Sequence, residues 1–273
     1  VGVGLSSYET ISAHHNPHVM NKTDSYMVPE PSELHRSFDR IGRVINRHVK
    51  VFHVETVLNN RMYGPALSFL ARNEDSWTTL DWTKMRGMKT AFDAMPSAWR
   101  RKALESIPAQ YVVIGVYAGS TEAVHAVTLA RCLEQYTVPV LGQSDIVITG
   151  IPYVSPYNIG AAMNPLLVQV MGLGYLHNTH RGTPVLKKGG TLILCHPGGA
   201  VFDGEQHGSY REFFDRLLPT TRDAYELHKN HEREFATNQE FIRRFRLGHA
   251  YHGAHPFFMW YWGEHGRRWS GRV

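Results

Sequence analysis

The chain has 273 residues, of which 42% are hydrophobic and 19% are charged, and its formal net charge is +5. This composition is typical of a folded chain with one large domain or two ordinary ones, and it excludes a disordered or low-complexity protein. No apolar run approaches the roughly 18–20 residues that a membrane helix needs, so no membrane partner is expected. Only two cysteines are present, Cys132 and Cys195, which argues against a disulfide scaffold and favours a reducing, cytoplasmic setting.

The positive charge suits an anionic substrate or a phosphate-bearing cofactor. The basic residues are scattered and form no stripe on a recognised nucleic-acid fold, so nucleic acid is not an expected partner. The unusual feature is a set of seventeen histidines, several of them in tight groups. Because histidine titrates near neutrality and is the commonest metal ligand, these groups raise a metal or proton-transfer hypothesis. For any single histidine, a surface or packing role is the more common one.

The first half of the chain predicts helices alternating with strands. Apolar residues at three- and four-residue steps predict an amphipathic helix over 31–48, and a β-branched run predicts a strand over 50–60. Residues 62–108 have mixed helical character and are predicted to be an inserted excursion. A compact apolar strand is predicted over 111–119, and a helix over 121–136 follows it.

The second half continues the alternation. Its predicted elements are a strand over 144–150, a helix over 161–175 with a start at Asn164–Pro165, a strand within 187–199, helices over 209–218 and 232–247, and a strand that begins at 272. Strands alternating with helices of ten or more residues indicate an α/β architecture with mainly parallel sheets.

Polar residues follow the predicted strand that ends at residue 150. In open α/β sheets, ligands bind at the carboxyl ends of the strands. The loop over 149–165 combines glycines and prolines with polar side chains. A rigid loop of this kind fixes its hydrogen-bond donors before a ligand arrives. It therefore predicts substrate-binding residues, namely Tyr157, Asn158 and Asn164.

Two other strand ends carry weaker signals. The segment over 118–125 is interpreted more simply as a strand-to-helix turn. The segment over 195–214 is predicted to form a hydrogen-bonding wall of a cleft through four polar side chains: His196, Asp203, Glu205 and His207. No HExxH, GxGxxG, GxxxxGK[ST] or GxSxG motif is present, which argues against zincins, dinucleotide or Walker-type nucleotide sites and the usual serine hydrolase elbow.

The stretch GVGLSSYETISAHH near the start resembles a segment of the lactate racemase family, the nickel-pincer-nucleotide enzymes. That family carries the pattern S-x-x-E-x-I-x-x-N-H, which is fitted here by Ser6, Glu9, Ile11 and His15. His14 stands where the family usually has asparagine. Further stretches are similar to family segments in the same order: EPSELHRSFDRIG, FHVETVLNN, VYAGSTEAVH, DIVITGIPYVSPYNIGAAMNP, VLKKGGTLILCHPGG and FRLGHAYH. The resemblance covers nearly the whole chain except residues 62–108. It implies two α/β domains with mainly parallel sheets, residues 1–140 on the cofactor side and residues 141–273 on the substrate side, with an active-site cleft between them.

The resemblance implies a metal ligand and a cofactor. The terminal histidine of the motif binds nickel in the family, so His15 is the expected metal-binding and cofactor-binding residue. The expected cofactor is the nickel-pincer nucleotide. The family's cofactor lysine and its two catalytic histidines would precede Val1, so the catalytic residues are unknown here. Both ends of the sequence are expected to be cuts through ordered structure.

The resemblance also implies an activity. The family's lactate enzymes carry a Tyr-Gln-x-x-Lys set in the substrate loop, whereas this loop reads PYNIGAAMNP, with neither glutamine nor lysine. The expected function is therefore a racemase or epimerase of a 2-hydroxy acid other than lactate, acting by hydride transfer. The open alternatives are an oxidoreductase-type homologue on the same fold and a non-catalytic binding subunit. A small-molecule 2-hydroxy acid is the expected partner, and homo-oligomer formation is left open.

Overall fold

The structure is a computed structural model, and it mixes helices with strands as an α/β chain does. It describes residues 8–20, 33–60, 63–106, 111–153, 155, 157–158, 161–248, 253–267 and 270–272. Three sequence predictions lie outside these residues: the role of Ser6, the helix start at 31–32 and the FRLGHAYH residues 249–252. None of the helices within the described ranges is both long and apolar enough to cross a membrane.

The chain divides into two compact units. The first combines Val1–Ile45 with Pro139–Val273, and the second is Asn46–Val138. This grouping differs from the expected division into residues 1–140 and 141–273, because the first 45 residues belong with the C-terminal part of the chain. The helix α3 (Glu33–His48) contains the boundary between the two units.

The first unit is mainly helical. Its helices, apart from α3, are α1 (Tyr8–Ser12), α2 (Pro17–Met20), α7 (Pro165–Gln169), α8 (Gly208–Glu212), α9 (Ala224–Asn230), α10 (Glu232–Thr237), α11 (Gln239–Gly248) and α12 (His255–Arg267). Helix α7 continues as a π-helical segment, Val170–Tyr175, and α8 as a second one, Phe213–Leu217. Within this unit, one large cluster of buried apolar side chains joins α1, α2, α7, α8, α10 and α12.

Helix α12 is the central element of this core. Nine of its thirteen residues are buried. Two glycines allow a close approach, because a Cβ at Gly266 would lie 1.8 Å from the Leu173 carbonyl oxygen and one at Gly263 2.0 Å from the Gln169 side chain. The backbone of α12 therefore lies close to the end of α7 and to the π-helical segment that follows it.

A small parallel sheet completes the first unit. Its strands are β3 (Ser144–Gly150), β4 (Leu186–Cys195) and β5 (Ser270–Arg272), in the order β3-β4-β5. Both strand pairs are parallel, as the alternation of helices and strands predicts. The Ile151 amide donates to the Cys195 carbonyl, so the loop that follows β3 leaves the sheet beside the end of β4.

The second unit contains an antiparallel pair of strands. Strand β1 (His53–Asn60) pairs with β2 (Tyr111–Gly119), and the register runs from His53 opposite Gly119 to Asn60 opposite Tyr111. The expectation of mainly parallel sheets is wrong for this pair. A helical excursion joins the two strands, and such a connection is typical of parallel neighbours, so the alternation of elements does not predict the antiparallel pairing.

Helices fill the rest of the second unit. The excursion contains 3₁₀ turns at Pro65–Ala71 and Glu74–Ser76, then α4 (Thr79–Asp93) and α5 (Ser97–Glu105). Helix α6 (Thr121–Tyr136) packs on the strand pair. Its Thr128 hydroxyl donates to Glu55 of β1, and its Tyr136 hydroxyl donates to the Leu58 carbonyl at 3.1 Å.

Candidate functional site

His15 lies in the turn that follows α1, and one of its ring nitrogens is engaged. Its Nδ1 is 3.2 Å from the carbonyl oxygen of Ile11, one helical turn earlier. A carbonyl oxygen can only accept a hydrogen bond, so Nδ1 carries the proton. The lone pair of the neutral ring is therefore on Nε2. This is the tautomer that a metal ligand needs when it binds through Nε2.

Aromatic side chains of α12 surround the His15 ring. The ring centroids of Phe258 and Trp262 lie 5.6 Å and 5.8 Å from that of His15. Burial among these rings lowers the pKa of His15 to about 4. The imidazole is therefore neutral at physiological pH. The side chain of His18 is exposed and packs edge-on against Tyr225, with ring centroids 4.7 Å apart.

A short series of contacts joins His15 to Tyr157, another predicted site residue. Trp262 stacks on Tyr175 with ring centroids 5.5 Å apart and an interplanar angle of 9°. The Tyr175 hydroxyl lies 2.6 Å from the Tyr157 hydroxyl, a hydrogen-bond distance. Two side chains, Trp262 and Tyr175, thus connect the predicted metal ligand with the predicted substrate loop. The residues come from four separate segments of the first unit.

Histidines lie on the other side of Tyr157. The His255 ring centroid is 5.1 Å from that of Tyr157, and the His255 Nδ1 is hydrogen-bonded to the Tyr210 hydroxyl. The His207 Nε2 donates to the Tyr157 carbonyl at 3.5 Å, and burial lowers the pKa of His207. His207 belongs to the predicted polar wall over 195–214. This part of the wall therefore reaches the substrate loop.

The side chains of Asn158 and Asn164 form hydrogen bonds mainly with backbone groups of the protein. Asn158 accepts a hydrogen bond from the Ser155 amide at 2.7 Å and donates to the Ala161 carbonyl at 2.7 Å. It therefore holds the shape of the loop. Asn164 caps α7 by accepting from the Leu167 amide at 3.1 Å, which confirms a helix start at Asn164–Pro165. The Asn164 Nδ2 is buried without a hydrogen-bond partner in the described part of the chain.

The sequence predictions missed Gln169, at the end of α7. Both polar atoms of its amide are buried, and neither has a hydrogen-bond partner among the described residues. An unpaired buried amide is costly, and such a group marks a place where a polar ligand would be stabilised. Gln169 is a polar residue within an apolar stretch, which could have indicated it, but it lies four residues beyond the loop over 149–165.

The sequence predictions also missed Glu232, the first residue of α10. Its carboxylate is fully buried and accepts four side-chain hydrogen bonds, two of them from α1. Burial and the Glu232 carboxylate raise the pKa of two of its partners, the Tyr8 and Tyr261 hydroxyls, well above the ordinary value. These hydroxyls therefore keep their protons and serve as donors.

The described residues offer no multi-residue metal site. Across the described ranges, no three His, Cys, Asp or Glu side chains converge on a position that could hold a metal ion. A metal held by protein side chains alone would need several such ligands. His15 could serve only a metal whose other ligands come from elsewhere, such as a cofactor.

Comparison with known proteins gives no further assignment. No family model matches the chain, and no curated protein or solved structure matches it at a significant level.

Proposed function

We propose that this protein is a racemase or epimerase of a 2-hydroxy acid, other than lactate, that works with a nickel-pincer nucleotide. The observation that carries the proposal is the geometry of His15. Its Nδ1–H is held by the Ile11 carbonyl, so Nε2 presents a lone pair beside the rings of Phe258 and Trp262. The proposal includes the finer architecture that the resemblance implies, two α/β domains with an active-site cleft.

The residues present fit this cofactor. A nickel ion that receives its other ligands from the nucleotide needs a single protein imidazole, and a planar arrangement of such ligands is typical of Ni(II). One neutral histidine with a fixed tautomer meets this need, whereas the described residues contain no multi-residue metal site. When bound, the nucleotide would serve as hydride acceptor and donor for the α-carbon of the substrate, while a base that is not identified among the described residues would take the hydroxyl proton and return it.

The chain's own residues orient the ligand and the substrate. Phe258 and Trp262 restrict the rotation of the His15 ring and keep water from its faces. With Tyr175 as donor in the 2.6 Å hydroxyl pair, Tyr157 keeps its own proton for a substrate oxygen. The Gln169 amide, which lacks a hydrogen-bond partner within the described ranges, supplies a donor for the substrate carboxylate. Asn158 contributes indirectly, because it holds the loop that carries Tyr157.

A cytoplasmic location is part of the proposal. Both cysteines are unpaired, as is usual for proteins of a reducing compartment.

The proposal is tested with full-length protein produced together with the enzymes that make the cofactor. Each enantiomer of a panel of 2-hydroxy acids is incubated with the protein in D₂O, and the products are analysed by chiral chromatography and mass spectrometry. We expect nickel in the purified protein and inversion of one substrate class with the α-hydrogen retained, because a hydride does not exchange with solvent.

The other outcomes separate the alternatives. Inversion with deuterium at the α-carbon would contradict hydride transfer. Net release of a 2-keto acid would identify an oxidoreductase. Protein that contains no nickel and turns over no substrate would contradict the isomerase and support a binding subunit.

A further inference from the structure

The strongest polar cluster outside the proposed contacts with cofactor and substrate surrounds Glu232. The residue is 0% exposed, and each carboxylate oxygen accepts two hydrogen bonds. A carboxylate is costly to remove from water unless its lone pairs are hydrogen-bonded in this way. A fully satisfied buried carboxylate holds its donors in one arrangement, because any movement leaves a charged oxygen without a partner.

The two oxygens of Glu232 hold different parts of the unit. Oε1 accepts from the Tyr8 hydroxyl at 2.9 Å and from the Ser12 hydroxyl at 2.7 Å, and both donors belong to α1. Oε2 accepts from His228 Nδ1 of α9 at 2.6 Å and from the Tyr261 hydroxyl of α12 at 2.7 Å. Glu232 therefore joins α1 to the helix whose aromatic side chains surround His15.

Helix α1 depends on such an anchor because it is short. It has five residues, Tyr8–Ser12, and a single turn of helix is unstable by itself in water. Tyr8 and Ser12 are its first and last residues, so the Glu232 bonds fix both ends. Between them lies Ile11, whose buried side chain faces the core and whose carbonyl accepts the His15 Nδ1–H.

We propose that Glu232 is a positioning residue for His15. It fixes α1 so that the Ile11 carbonyl holds the imidazole with Nδ1 protonated and Nε2 available to nickel. This inference rests on the proposed role of His15 as the nickel ligand. It adds a residue that touches neither metal nor substrate but determines which nitrogen of the ligand is available.

The test compares variants that remove hydroxyl donors from the same carboxylate on its two sides. Tyr8→Phe combined with Ser12→Ala releases α1, whereas Tyr261→Phe removes a donor from α12 and leaves α1 bound. Ser12→Thr retains the hydroxyl and serves as the conservative variant. Circular dichroism and thermal unfolding of each variant show that the protein is folded.

The first readout is the tautomer of His15 in nickel-free, full-length protein labelled with ¹⁵N-histidine. Long-range ¹H–¹⁵N NMR spectra distinguish a protonated Nδ1 from a protonated Nε2, and His15→Gln assigns the signal. We expect the Nδ1–H form in the wild type, Ser12→Thr and Tyr261→Phe. The Tyr8→Phe/Ser12→Ala variant should show a mixture of both tautomers.

The second readout is nickel affinity after cofactor loading. Loss of an outer partner of a ligating histidine typically weakens metal binding by about 10–100-fold, and we expect a loss in this range for the Tyr8→Phe/Ser12→Ala variant only. An unchanged tautomer in that variant, or equal losses in it and in Tyr261→Phe, would overturn the positioning role. If the wild type binds no nickel, the proposed function fails, while the tautomer measurement still decides whether Glu232 orients His15.

Discussion

The two units of the chain differ in how their apolar residues are used. In the first unit, aromatic side chains such as Phe213, Phe235 and Phe257 are completely or almost completely buried in one continuous cluster. In the second unit, the buried apolar side chains among the described residues are those of Val57, Phe69 and Val124. The proposed site lies in the unit with the extensive core, which suits a site that depends on fixed side-chain positions.

The second unit buries few apolar side chains and exposes many. Its strand pair leaves large apolar side chains exposed, including Val54 and Val116, both at 61%. Its helix α4 begins with a capping box, in which the side chains of Thr78 and Asp81 bond each other's backbone amides. The comparison predicts that equivalent substitutions have large effects on stability in the first unit and small ones in the second.

The largest effect is expected for Phe257→Ala. The Phe257 ring is 0% exposed and packs against Phe213 and Phe235 with centroid distances of 4.6 Å and 5.0 Å. The cavity should lower the free energy of unfolding by about 3–5 kcal/mol, as urea denaturation would measure. Val116→Ala, on the exposed strand, should change it by less than about 0.5 kcal/mol. Similar losses for both variants would remove the contrast between the units.

Two glycines show the same contrast between the units. Gly266→Ala places a Cβ 1.8 Å from the Leu173 carbonyl oxygen, so α12 must shift, and we expect a loss of about 1–3 kcal/mol. Gly87, inside α4 of the second unit, has no atom within 4 Å of a Cβ built on it. Gly87→Ala should therefore stabilise by about 0.5–1 kcal/mol through its helix propensity. Thermal unfolding of the two variants should show a lower melting temperature for Gly266→Ala and a higher one for Gly87→Ala. A lower melting temperature for Gly87→Ala would show that the residue packs against a neighbour.

The cap of α4 provides a smaller effect. The Thr78 hydroxyl accepts from the Asp81 amide and donates to the Asp81 carboxylate at 2.7 Å. Thr78→Ala should cost about 1 kcal/mol, and the loss should be visible as faster hydrogen exchange in the first turn of α4. Thr78→Ser keeps the hydroxyl and should exchange like the wild type. Faster exchange in the first unit would contradict the local character of this interaction.

The smallest expected effect is the contribution of His228 to the pH dependence of stability. Its hydrogen bond to Glu232 raises the pKa of His228 above the ordinary value of about 6.5. The charged histidine therefore contributes stability that is complete below about pH 6.5 and is lost as the pH rises through the raised pKa. Denaturation between pH 6 and pH 9 should show this decline, and His228→Gln should reduce it. An unchanged pH dependence in His228→Gln would show that the decline comes from other groups.

Much of the fold could be predicted from local sequence patterns. The predicted bounds of β2, α6 and β3 are those of the structure, because apolar runs and turn residues delimit these elements clearly. Helix α12 was missed because its sequence, HPFFMWYWGEHGR, is apolar on most sides and shows no amphipathic period. The helix predicted over 232–247 is interrupted at Asn238, whose side chain accepts from the Phe241 amide at 3.2 Å and starts a new helix.

The site could be predicted only in part. His15 and Tyr157 stand in recognisable segments, and the structure connects them through Trp262 and Tyr175. Glu232 could not be found from sequence, because its bonds to Tyr8 and Ser12 span 224 and 220 residues. The fold brings these groups into contact, and a local sequence pattern contains no information on contacts between residues so far apart in the chain.

The most direct test of the account is the nickel content of two histidine variants. Full-length His15→Ala and His18→Ala are produced together with the cofactor-synthesis enzymes, and nickel is measured by elemental analysis against protein concentration. We expect His15→Ala to lose nickel, since Nε2 of His15 is the proposed ligand, and His18→Ala to retain it, since His18 is exposed. Full nickel occupancy in His15→Ala would show that His15 is not the nickel ligand.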